Sequence, residues 1–118
     1  LKRLGIAQWP NVEFHALGFQ SMVPAVGQGA IAVQSRAADA QEFAAVFDAV
    51  TARQVELERA FQAALGGGCH TAFGAHVTTD MLYFYHEKTG LRTQPLTAAD
   101  FARPAETATR LLRAMGLP

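Results

Sequence analysis

Three consecutive glycines, Gly66-Gly67-Gly68, divide this chain into two regimes. Ahead of them Leu57, Phe61, Ala64 and Leu65 recur at helical spacing and leave Arg53, Glu56 and Gln62 for solvent. Behind them Thr71, Phe73, Ala75 and Val77 alternate with Ala72, Gly74 and His76, the period of a half-buried strand. Glycine adopts positive φ without steric cost, so the run stops the helix and leaves a bare backbone before the strand. The loop so defined carries the sole cysteine, Cys69, followed by His70. Helix-to-strand loops are common sites of binding and catalytic groups.

The alternation predicts an antiparallel meander. Thr79-Asp80 reverses the chain into Met81-Leu82-Tyr83-Phe84-Tyr85-His86, the strongest strand signal, and Lys88-Thr89-Gly90 turns it into a third strand, Leu91 to Leu96. Thr97 with Asp100 starts a helical turn that Pro104 interrupts. The final helix therefore begins with Pro104 in its first turn, buries Ala108, Leu111, Leu112 and Met115, and ends at Gly116. From Thr51 onward the order is helix, three strands, helix, an α+β unit with helices covering one sheet face.

Upstream the signals are shorter. Leu1 to Leu4 reads as a helix end closed by Gly5, Trp9-Pro10-Asn11 as a turn, and Val12 to Phe14 as a short strand. Val23 to Gly29 is a connector with glycines on both sides of Gln28; it is either a plain turn or a place where Gln28 and neighbouring N–H groups face a ligand. Ala30 to Gln34 reads as a buried strand. Asp39 and Glu42 form a capping pattern before Phe43, Val46, Phe47 and Val50, the stripe of a packed helix, and Thr51 with Gln54 starts the next one. This strand and helix lack partners within the chain and are expected to belong to a larger α/β domain. The strand is then an edge in search of a pair, so self-association is expected.

Composition narrows the function classes. Lys+Arg and Asp+Glu number 10 each in 118 residues, a balance that argues against a general nucleic-acid or membrane-surface role. A single cysteine forms no internal disulfide, which places the default in a reducing, cytoplasmic setting. Apolar runs fall short of a membrane span. The first residue is leucine and the opening reads as the middle of something longer, so a fragment is expected.

Two readings of Cys69 stand at this level: a small buried hydrophobe, or a reactive thiol on a flexible approach. A helix C-terminus does not lower a thiol pKa through its dipole, so reactivity needs nearby positive charge or a strong electrophile. His15, His70, His76 and His86 show no metal-ligand spacing with Cys69, although His76 and His86 fall on neighbouring strands; no metal site is expected. Arg59 either pairs locally or holds an acidic ligand near the helix end. A second class of function, an RNA-binding-like interaction module, shares the helix–three strands–helix layout and would need Arg103, Arg110 and Arg113 as its phosphate contacts, against Asp100 and Glu106.

Taken together, Leu1-Lys2-Arg3-Leu4-Gly5, Pro24-Ala25-Val26-Gly27-Gln28-Gly29-Ala30, Glu58-Arg59-Ala60-Phe61 and Gly67-Gly68-Cys69 resemble the C-terminal portion of porphobilinogen deaminase (hydroxymethylbilane synthase). The resemblance implies that residues 1–22 correspond to the end of the family's second domain, residues 23–50 to the crossover into its first, and residues 51–118 to its third, cofactor-anchoring domain. It implies a transferase of tetrapyrrole (porphyrin and heme) biosynthesis that deaminates porphobilinogen and condenses it on a covalent dipyrromethane. Cys69 is then the thioether anchor: its thiolate takes the electrophilic methylene carbon left when porphobilinogen loses ammonia. Arg3 matches a family arginine that binds the acetate and propionate groups of the growing oligopyrrole, and Gln28 and Gly29 match the segment lining the cleft.

The family's Gln and Pro soon after the cysteine are replaced here by His70, Thr71 and Ala72. Its catalytic aspartate lies in a region this chain does not include, so no catalytic residue is assigned and the 118 residues alone are expected to be inactive. The resemblance further implies a monomeric whole protein that needs neither nucleic acid nor membrane.

Overall fold

A computed structural model describes residues 4–6, 8–66 and 71–118. Its core is built after residue 48. Helix α2 (Ala49–Ala64) leads to strands β1 (Phe73–Val77), β2 (Met81–His86) and β3 (Gly90–Pro95), then to helices α3 (Ala98–Ala102) and α4 (Pro104–Ala114). The strands form one antiparallel sheet in the order β1-β2-β3. Alternation sets which side chains meet: Ala75 stands opposite Phe84 and Val77 opposite Leu82. These four are buried with Leu57 and Phe61 of α2 and Ala108, Leu111 and Leu112 of α4. The fold class is α+β, as the two periods require.

The helix ends follow from local chemistry. Asp48 caps α2, its carboxylate accepting the N–H groups of Val50 at 3.1 Å and Thr51 at 3.3 Å. At the other end Gly66 has φ +85° and its N–H bonds to the Ala63 carbonyl at 3.1 Å. Gly116, with φ +79°, closes α4 in a Schellman motif: its N–H reaches Arg113 at 3.0 Å and the Leu117 N–H reaches Leu112 at 2.9 Å. Leu117 is thereby turned back into the core. Pro104 occupies the first turn of α4, where its missing N–H is no loss.

Several upstream expectations are corrected. Ala30–Gln34 forms no strand, and Ile31 is 89% exposed. Val12–Phe14 forms no strand either; an isolated bridge joins Trp9 to Val12. The segment from 37 to 46 is not one packed helix but 3-10 turns at Ala37–Asp39 and Ala44–Val46 around a single turn, α1 (Ala40–Phe43). Its apolar stripe faces solvent, with Val46 75% exposed. The physical reason is shared: a strand needs a ladder and an amphipathic helix needs a surface, and among the described residues neither is present. The edge on which self-association was expected is therefore absent. Asp48, not Thr51, caps α2, and Ala64 is exposed instead of buried.

Asp100 joins the last two helices. It closes a capping box with Thr97, accepting the Thr97 N–H at 2.8 Å, and pairs with Arg110 of α4. Partial burial pushes its carboxyl up, but the bonds from Thr97 and the Arg110 guanidinium outweigh this and hold it below its ordinary 3.8. A depressed folded pKa stabilises above the unfolded pKa and the effect is lost as pH falls through the folded one. Asp100→Asn is expected to destabilise by about 1 kcal/mol at pH 7, with the difference shrinking below about pH 4. Urea unfolding at the two pH values checks this; an unchanged difference in acid would refute the assignment to ionisation.

Candidate functional site

The connector between residues 23 and 29 folds into two overlapping turns. The Gln28 N–H bonds to the Ala25 carbonyl at 3.0 Å, and the Ala30 N–H to Gly27 at 3.1 Å. Gly27 (φ +69°) and Gly29 (φ +88°) supply the left-handed backbone these turns need. Gln28 is exposed, and its side-chain Oε1 accepts the Ala25 N–H at 3.0 Å, which caps the turn and leaves the amide Nε2 as its free group. The segment is a true turn, held by its own hydrogen bonds, with the Gln28 amide at the surface.

What fixes the connector to the core is Glu58. This carboxylate is only 3% exposed, in the buried face of α2 between Leu57 and Phe61. Oε2 accepts the Gly27 N–H at 2.7 Å and Oε1 accepts the Val77 N–H at 2.8 Å. His76 Nδ1 stands 3.3 Å from the same Oε1. Val77 lies on β1, an outer strand of the sheet, so Glu58 takes up an edge donor that has no strand beside it. A buried charge is tolerated where its lone pairs are met by N–H donors, and these are. Sequence reasoning missed Glu58. The signal was available: it stands three residues before Phe61 and seven before Leu65, on the apolar stripe, where a carboxylate requires buried partners.

The connector also lies hard against β1. A Cβ placed on Gly74 would fall 2.8 Å from the Val23 carbonyl oxygen and 2.9 Å from that of Pro24. Val26 packs against the core. Farther upstream, the ring of Phe19 lies 4.2 Å from that of His76 and 5.2 Å from that of Tyr83. Residues 19–27 thus cover the face and outer edge of β1. Beside them a groove of about 450 Å³ is lined by Gly27, Ile31, Phe47, Val55, Glu56 and Arg59, among others. Arg59 is exposed and makes no ion pair within the described residues, so its expected local pairing is not found.

The remaining candidates separate. Arg3, Cys69 and His70 lie outside the described residues. In sequence Cys69 falls between α2 and β1. His76 and His86 do not pair across the hairpin: His76 faces Tyr83 and His86 faces Phe73 in the register. His86 instead accepts the Lys88 N–H on Nδ1 at 3.1 Å. Among the described residues no group of three His, Cys, Asp or Glu side chains is placed to hold a metal. No described helix is long and apolar enough to cross a membrane. On α4, Arg103 pairs with Glu106 and Arg110 with Asp100, which spends two of the three cations an RNA-binding face would need.

Fold and site together define an α+β unit: a three-stranded meander backed by two helices, with a glycine-rich turn latched to its edge. No family model matches the chain. Curated relatives do. The chain is 40% identical over 84 residues to a porphobilinogen deaminase of Exiguobacterium sp. (68% of this chain, 27% of the relative). It is 42% identical over 79 residues to that of Nitratidesulfovibrio vulgaris (64% and 24%) and 38% identical over 89 residues to that of Nitrobacter hamburgensis (71% and 27%). By sequence the chain belongs to the porphobilinogen deaminase family, and it spans about a quarter of the length of the curated relatives it matches.

Proposed function

We propose that this chain is the C-terminal part of a cytoplasmic transferase that deaminates porphobilinogen and condenses it into the linear tetrapyrrole hydroxymethylbilane, with Cys69 as the covalent anchor of a dipyrromethane. The observation that carries the proposal is the similarity to porphobilinogen deaminases over 84 residues, in a chain whose only cysteine follows a glycine run at a helix-to-strand connection. Within it, residues 1–22 are the remnant of a second domain and residues 23–50 the crossover to a first. Residues 51–118 are the anchoring domain. The exposed Ile31, Val33, Val46 and Phe47 agree with this, since each belongs to a segment that wants a partner.

Dipyrromethane, when bound, supplies the pyrrole to which further units are joined. The residues present suit an anionic oligopyrrole. Arg59 is a surface guanidinium without a described ion-pair partner, and it shares its groove with Gly27. The free amide of Gln28 and the bare backbone at Gly29, where a Cβ would meet nothing within 4 Å, offer donors and close approach next to that groove. Arg3 adds a second guanidinium for carboxylates, and the Cys69 sulfur forms a thioether that has no easy hydrolytic route.

Replacing the matching segment of the Exiguobacterium enzyme with residues 1–118 tests the proposal. Intact mass and peptide mapping are expected to show an addition of dipyrromethane size on the Cys69 peptide, absent in Cys69→Ser. A folded chimera with an unmodified Cys69, beside a parent enzyme that carries its adduct, would overturn it.

A further inference from the structure

We infer that Glu58 is a positioning residue: it latches the Gln28–Gly29 turn to α2 and to the edge of β1, so that this turn is referred to the rigid core of the unit. A carboxylate 3% exposed on the core side of a helix is costly unless each oxygen is met by a donor. Here the two oxygens divide their work. One holds the connector through Gly27, 31 residues away in sequence, and the other holds the edge of the sheet through Val77, 19 residues away. A residue that only stabilised its own helix would not reach across both.

The lever is short. Glu58 lies seven residues before Leu65, the C-cap of α2, which is roughly 10 Å along the helix axis. Gly27 N–H is fixed at one end of that distance, and α2 ends at the other. The connector has few other means of holding its place. Among the described residues it pairs with no strand, its own hydrogen bonds are internal to its turns, and only Val26 of it enters the core. Loss of the Glu58 bond would leave Gln28 and Gly29 attached to the unit by packing alone. The position of a proposed cleft-lining turn on the core thus depends on a carboxylate that lies outside the turn.

The meaning of this latch for a cleft rests on the function proposed above, but its test does not. In the 118-residue chain, long-range carbonyl-detected NMR is expected to show through-hydrogen-bond couplings from the Gly27 and Val77 amide nitrogens to the Glu58 side-chain carboxyl carbon. Glu58→Gln keeps the shape but offers one acceptor and one donor to two N–H donors. At least one of the Gly27 and Val77 amides is then expected to exchange with solvent tenfold or more faster, while Leu82 and Phe84 keep their protection. Glu58→Ala should free both. Absence of both couplings in the parent chain, or Gly27 exchange within twofold of the parent in both variants, would overturn the latch. Intact couplings in a chain whose chimera never loads Cys69 would instead keep the latch and remove the cleft reading.

Discussion

Phe84→Ala is expected to destabilise the chain by about 3–5 kcal/mol, enough to leave little of a domain whose whole stability is of order 5–15 kcal/mol. Phe84 is fully buried at the centre of β2. Its ring lies 5.6 Å from that of Phe61 on α2 and 6.5 Å from that of Phe73 on β1, tilted against both. Truncation therefore opens a cavity at the junction of helix and sheet, where β2 is paired on both sides and cannot collapse inward. Val46→Ala supplies the contrast. Both positions are apolar in sequence, but Val46 is 75% exposed, and its change is expected within about 0.5 kcal/mol. Guanidinium unfolding followed by circular dichroism measures both. Equal losses at the two positions would mean that the core is not where the structure puts it.

That contrast shows what the sequence can disclose. Phe43, Val46, Phe47 and Val50 follow helical spacing as faithfully as Leu57 and Phe61 do, and Ala30–Gln34 is as apolar as a core strand. Spacing reports that a face seeks burial; it does not report whether a surface is there to receive it. For α2 the surface exists, because β1 and α4 pack against it. For residues 30–47 no described element covers them, so the same code gives broken turns and exposed side chains. The meander was legible for the opposite reason: Met81–His86 finds both its partners within a few residues, and each strand needs only the next.

The site was half legible. The glycine run and the Gly27-Gln28-Gly29 turn could be read, since positive φ has a residue signature and the structure places Gly27, Gly29 and Gly66 there. Glu58 showed in the sequence only as a carboxylate on an apolar stripe; its partners did not show, because they are two backbone N–H groups, and backbone donors leave no mark in a sequence. The capping of α2 was misplaced by three residues for a related reason. Thr51 and Asp48 are both good caps, and Asp48 uses its carboxylate to bond the Thr51 N–H and hydroxyl together, so Thr51 becomes part of the cap that Asp48 makes. The Thr51 hydroxyl bond first, then the N–H bonds of Val50 and Thr51, hold the Asp48 carboxyl below its ordinary range.

Gly74→Ala is the change expected to move the connector most. A single methyl there would sit 2.8 Å and 2.9 Å from two backbone carbonyl oxygens, with the Val23 side chain at 3.2 Å, closer than a Cβ tolerates. One side must give. Gly74 is held in register opposite Tyr85 within a three-stranded ladder, whereas Val23 and Pro24 belong to no strand, so the connector yields. Displacing Pro24 draws with it the turn that follows, pulls Val26 from the core and lengthens the 2.7 Å bond between Gly27 and Glu58. The cost is expected at about 1–3 kcal/mol, the usual range for overpacking. It should fall unevenly: the Gly27 and Gln28 amides lose protection from exchange, while those of β2 keep it. A comparable loss of protection in β2 would show that the sheet, and not the connector, had been the softer partner, and that residues 23–27 are an integral part of the core instead of a strap laid against its edge.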